Sequence, residues 1–150
     1  MTAYLTIKAQ IMAALETGLA VIPEVKAVER IRAAATDLDN MQKPVICIYD
    51  DQEDMTIKPG RIECKLRVIL GVFITLSPAG RSSFNAVADL LQGKIQDALV
   101  NNATLKGLLN FVGPQGLNKT FPSDILGMLT LIYQLNYAHN VGDATSQTFI

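Results

Sequence analysis

Histidine is the usual proton-transfer group near neutral pH, and this chain holds one, His139, at the end of an apolar run and next to a polar tail. That position reads as an exposed strand end rather than a general base. The densest group of carboxylates is Asp50, Asp51, Glu53 and Asp54. It invites a calcium reading, yet the spacing lacks the glycine and the bidentate glutamate of an EF-hand loop. A solvated acidic hairpin loop running to Lys58 is the expectation. Cys47, Cys64 and His139 do not have the paired-ligand spacing of zinc sites. Both cysteines sit inside apolar strand patterns and are expected as buried free thiols. Ser77, Ser82, Ser83 and Ser123 read as turn or cap residues, with no Gly-x-Ser-x-Gly elbow among them. Gly113-Pro-Gln-Gly116 lacks the Gly-Lys-Ser/Thr ending of a phosphate loop. No catalytic residue, metal site or cofactor site is assigned, and the protein is not expected to be an enzyme.

Charge gives little more. Thirteen basic and fourteen acidic side chains leave a net charge of −1, which offers no general drive toward nucleic acid or an anionic membrane. Lys26, Arg30 and Arg32 with Arg61, Lys65 and Arg67 could form a basic stripe if their strands were neighbours. Glu29 and Glu63 among them favour a mixed, salt-bridged face instead. The start of the chain has no charged n-region or continuous apolar segment, so no secretory leader is expected. No apolar stretch reaches membrane-spanning length, and a soluble, cytosolic protein follows as the expectation.

The elements that position these residues centre on 61–76. Ile62, Cys64, Leu66, Val68, Leu70, Val72, Ile74 and Leu76 alternate with Arg61, Glu63, Lys65 and Arg67, the pattern of a half-buried strand. Unbroken, it would run roughly 50 Å, so it must bend, with Gly71 the expected bulge, or project beyond the core. A second long strand over 126–139 presents Leu129, Leu131, Tyr133, Leu135 and Tyr137 on one face, and antiparallel pairing of the two is expected. Val45–Tyr49 reads as an inner strand opened by Pro44. Residues 25–32 fit strand or helix, with strand preferred.

Helices are expected over 3–19, with Gly18 loosening the last turn, and after Ser82 or Ser83 as cap. In the latter, Phe84, Val87, Ala88, Leu91, Ile95, Ala98 and Leu99 share a face, and Gly93 would let a neighbour approach. A short helical turn follows at 105–109, and 111–124 reads as loop or short strand. At 150 residues and 49% hydrophobic composition, one domain with a sizeable core is expected, closed by a mobile tail over 140–150. Physics alone yields a mixed α/β domain with unusually long strands.

Taken together, the order of elements resembles the tail terminator proteins of long-tailed bacteriophages and their contractile and tailocin-like relatives. Two stretches carry the resemblance: Lys43-Pro44-Val45-Ile46-Cys47-Ile48-Tyr49-Asp50-Asp51 and Leu66-Arg67-Val68-Ile69-Leu70-Gly71-Val72-Phe73-Ile74. It spans roughly residues 3–139. The resemblance implies an α+β protomer with a mostly antiparallel sheet, two long strands and helices packed on one side. It also implies a sixfold homo-oligomeric ring that caps the tail tube protein, stops tube polymerisation and presents a surface to a head-completion or neck protein. DNA would be only passing cargo in the lumen, no membrane would be involved, and the protein would reside in the virion after assembly in the host cytoplasm. Expected assembly contacts are Asp50, Asp51, Glu53, Asp54, Lys58, Arg61, Lys65 and Arg67, together with Phe149 and Ile150 of the tail. Two alternatives stand beside this reading: another neck component, such as a head-tail joining or tail completion protein, and a small-ligand or enzymatic domain.

Overall fold

The computed structural model describes residues 6–30, 43–76 and 81–147, with backbone alone for 81, 82, 111, 146 and 147. Three helices and six strands lie within them: α1 (Ile7–Ala20), β1 (Ala27–Arg30), β2 (Val45–Lys58), β3 (Arg61–Thr75), α2 (Arg81–Asn101), α3 (Ala103–Leu108), β4 (Phe111–Ser123), β5 (Leu126–Asn140) and β6 (Asp143–Gln147). The fold is α+β.

The two long strands pair antiparallel without interruption, from Arg61↔Asn140 to Thr75↔Leu126. Around this ladder the sheet runs β1-β2-β3-β5-β4. Only the β1–β2 pair is parallel. β6 folds back on the end of β5, pairing His139 with Gln147. Because β3 already occupies the other edge of β5 to Asn140, β6 continues the edge that β4 leaves at Asn136.

Alternation decides which face is covered. Ile46, Ile48, the even positions Cys64–Ile74 and the odd positions Leu129–Tyr137 form one buried cluster with Ile11, Leu15 and Leu19 of α1 and Phe84, Leu91, Ile95 and Leu99 of α2. Helices cover this face of the sheet. Thr6 caps α1, its Oγ1 accepting from the Ala9 amide at 3.0 Å, so the helix starts later than the expected residue 3. It runs to Ala20 undisturbed by Gly18. A Cβ at Gly18 would fall 2.5 Å from Asn102 Nδ2, and Asn102 caps α3 through the Leu105 amide at 3.0 Å. Gly18 therefore serves close packing. α2 begins at Arg81, which places Ser82 and Ser83 inside it rather than at its cap.

Four further expectations give way. The acidic stretch Asp50, Asp51, Glu53 and Asp54 is not a hairpin loop but the second half of β2, and the turn is Pro59-Gly60, with Gly60 at φ 78°. The bulge is not at Gly71, where the ladder is continuous, but on β2 between Asp50 and Gln52. Gly71 instead leaves room for Met128 and Tyr49, whose atoms would lie 3.0 and 3.3 Å from a Cβ there. Of the two readings for 111–124, loop or short strand, the loop gives way to strand. The segment forms β4, and its glycines and prolines are accommodated because it is an edge strand with register shifts at Pro114/Gly116 and Thr120/Ser123. The final segment, expected as a loose tail, contributes β6, while Phe149 and Ile150 lie outside the described residues. In keeping with the mixed face preferred over a basic stripe, β1 pairs with β2 and not with β3, so Lys26 and Arg30 do not neighbour Arg61, Lys65 and Arg67; Arg32 lies outside the described residues.

A Cβ at Gly127 would land on the buried Phe84 ring, which packs edge-on against Phe121 at 5.1 Å. Gly127→Ala is expected to cost about 1–3 kcal/mol by overpacking, read as a lower urea midpoint. Adding Phe84→Leu should recover part of that loss, because the two sites share one contact.

Candidate assembly surface

The bulge at Asp50–Gln52 organises the residues expected to make contacts. Before it, Ile46, Ile48 and Asp50 face the helices. After it, parity switches: Glu53, Met55 and Ile57 lie opposite Leu66, Cys64 and Ile62 on the helix side, while Gln52, Asp54, Thr56 and Lys58 lie opposite Arg67, Lys65, Glu63 and Arg61 on the bare side. One extra residue thus sends two apolar side chains to one face and the charges to the other.

The helix-covered cluster reaches Cys64 and Tyr137 but not the outer strand at Met55 and Ile57. The β2–β3 hairpin projects as an arm on which Met55 is 60% and Ile57 78% exposed. Val141 is also exposed and docks at the tip, its amide donating to the Gly60 carbonyl at 3.4 Å. The arm's outer edge is open: β1 pairs with β2 only through Ile48, and no other described strand lies beyond it.

Each expected contact residue among those described can now be placed. Asp50 pairs with Lys8 of α1 at 2.6 Å and Asp51 with Arg67 at 2.9 Å. Both are half-exposed pairs worth about 0–1 kcal/mol. Arg61 meets Glu63 at 3.2 Å, and Asp54 accepts from Gln52 at 3.1 Å. Lys65 and Lys58 have no ion-pair partner among the described residues. On the bare face, Gln52, Asp54, Lys65, Arg67, Gln115 and Gln134 line a shallow polar basin of about 180 Å³. Gln115 donates to Gln134, which donates to Asn136 at 2.8 Å. The face carries charges of both signs.

Glu53 differs from the other carboxylates. It turns toward the helix side and accepts from the Tyr137 hydroxyl at 2.6 Å. Burial raises the Tyr137 pKa well above the ordinary phenol value, and the Glu53 carboxylate beside it adds to the shift. Burial alone raises Tyr133. Burial also pushes the Cys64 thiol up, against a lowering from its hydrogen bond to Tyr137. Cys47 and Cys64 are both free and buried. His139 sits at the strand end, its Nδ1 3.0 Å from the Asn140 carbonyl oxygen. Among the described residues no three His, Cys, Asp or Glu side chains are placed to hold a metal ion, and no helix is long and apolar enough to cross a membrane.

Sequence reasoning missed Met55, Ile57 and the Glu53–Tyr137 bond. The signal was the two-residue spacing of Glu53, Met55 and Ile57, which the extra residue at the bulge puts out of phase with Ile46 and Ile48. No protein-family model matches the chain, and no curated protein matches it.

Removing the hydroxyl in Tyr137→Phe should cost about 1–2 kcal/mol, since it abolishes a charge-assisted bond that ties the arm to β5. Alkaline pH gives a second check. Tyr133, Tyr137 and Cys64 hold their protons more tightly folded than unfolded. Their contribution to stability is therefore complete at neutral pH and lost as the unfolded-state groups ionise, from about pH 8.5 for the thiol and about pH 10 for the phenols. The urea midpoint should fall across that range, less steeply in Tyr137→Phe.

Proposed function

We propose that this protein is a structural subunit that assembles into a ring on the end of a phage tail tube, stops its polymerisation and offers a docking surface to the neck. One observation carries the assembly reading: beyond its bulge the β2–β3 arm has an edge that pairs with no other described strand, and Met55 and Ile57 stand exposed on it. Soluble chains normally blunt such edges. β4, the opposite edge, is blunted by Pro114, Pro122 and two register shifts. Beyond its bulge at Asp50–Gln52 the arm has only charged side chains, Glu53, Asp54 and Lys58, to blunt it. An edge left this open is accounted for when a neighbour covers it, and unlike surfaces on one chain meet heterologously, an arrangement that forms a ring when the rotation closes. The tail terminator assignment adds the resemblance in element order and in residues 43–51 and 66–74.

Light scattering on a sizing column, with negative-stain images, tests the reading. A sixfold species with a central hole, or a monomer that forms one on addition of a tail-tube protein and fixes tube length, is the expected result. A chain that stays monomeric and fails to bind tubes would sink it. A ring that binds a head portal but leaves tube growth unchecked would replace it with a joining role.

A further inference from the structure

α2 has a second apolar feature that the protomer does not use. Its core face is Phe84, Ala88, Leu91, Ile95 and Leu99, all buried. On the opposite side, Ala86, Asp89, Leu90, Gly93, Asp97 and Val100 face solvent, with Leu90 50% and Val100 46% exposed. Gly93 lies at the centre of that outward face, since helical positions advance about 100° per residue. A glycine in mid-helix costs the helix stability, and nothing among the described residues requires it: none of their atoms lies within 4 Å of where its Cβ would be. What a glycine there provides is access to the helix backbone.

The arm tip has the complementary profile. Met55 and Ile57 stand exposed on one face, two residues apart, a separation of about 7 Å along the strand. Lys58 follows at the turn, where alternation starts it toward the other face, and its flexible four-carbon stem brings the ammonium round the tip. Lys58 and Asp97 are both exposed and lack an ion-pair partner among the described residues. The two surfaces do not face each other within one chain: Phe84, at the start of α2, sits against Gly127, and the outward face of α2, opposite its buried residues, points away from the sheet.

We infer that the arm tip of one copy of this chain seats on the outer face of α2 of the next, with Met55 and Ile57 straddling Gly93 between Leu90 and Val100, and Lys58 paired with Asp97. This rests on the ring reading and names its contact. Apolar groups exposed on both surfaces are buried together, two unpartnered charges of opposite sign meet, and the glycine admits the strand to the helix backbone. The contact joins unlike surfaces, so each copy has one of each to offer, and the chain of contacts closes on itself when the rotation per contact divides the full turn.

Gly93→Leu is the discriminating variant because it removes a helix-weakening residue at an exposed position. Its protomer should melt at or above the wild-type temperature while the concentration for half-assembly, measured by sedimentation velocity, rises about tenfold or more. Lys58→Asp and Asp97→Lys should each weaken assembly, and the double exchange should restore it. A mixture of Ile57→Cys and Gly93→Cys protomers should form an intermolecular disulfide that neither forms alone. Rings of wild-type mass and concentration dependence from Gly93→Leu would overturn this contact while leaving the ring reading intact. Gly93→Leu rings that no longer bind tubes would reassign the face to the tube protein. Wild-type chain that never self-associates, with or without tubes, would defeat both readings at once.

Discussion

The structure depends on one ladder, the unbroken antiparallel pairing of β3 with β5 over fifteen residues. A ladder of that length runs about 50 Å, whereas a globule of this chain length has a radius of gyration of about 15 Å. The helix-covered cluster takes in Cys64–Ile74 and Leu129–Tyr137, and what it leaves exposed is the tip and the outer strand at Met55 and Ile57. This mismatch between strand length and helix cover produces the arm. Its exposed edge, its exposed Met55 and Ile57, and the salt-bridged bare face all follow from it.

The bulge at Asp50–Gln52 is the second determinant, and it acts through parity. Without the extra residue, continued alternation would place Asp50, Gln52 and Asp54 on the helix side and Met55 and Ile57 on the bare side. With it, Glu53 reaches Tyr137 and the arm keeps one apolar and one charged face. The Glu53–Tyr137 bond joins β2 to β5 across β3 just beyond the bulge, so the strand is fixed on both sides of the point where its twist changes most.

The core was legible in the sequence because two-residue alternation in β3 and β5 and the three-four spacing in α2 survive intact in the structure. Phe84, Leu91, Ile95 and Leu99 are buried as their spacing implies. Three failures have specific causes. Gly113, Pro114, Gly116 and Pro122 are loop residues by composition, and β4 tolerates them only because its outer edge has no partner to require their amides. The acidic half of β2 looks like a loop because the bulge breaks its alternation and its carboxylates find cations on other elements, Lys8 and Arg67. The two glycines change places in meaning: Gly71 reads as a bulge and is a packing site, while Gly93 reads as a packing site and faces open space. A sequence pattern reports that a side chain is absent but does not identify the neighbour that needs the space.

An arm of this construction also bears on the energetics of assembly. A two-stranded hairpin in water is marginal and would have to be ordered when a partner binds, at a cost in conformational entropy. Here β5 backs the hairpin along its whole length, β6 folds over the end of β5, and the Val141 amide closes on the Gly60 carbonyl at the turn. The tip is therefore ordered before any contact forms, and Met55 and Ile57 are held in alternation rather than left to search for it. Burying them then returns most of their transfer free energy, about 25 cal/mol per Å² of apolar surface, to the contact itself. The residues of the ladder that no helix covers are the ones that make such an arm rigid.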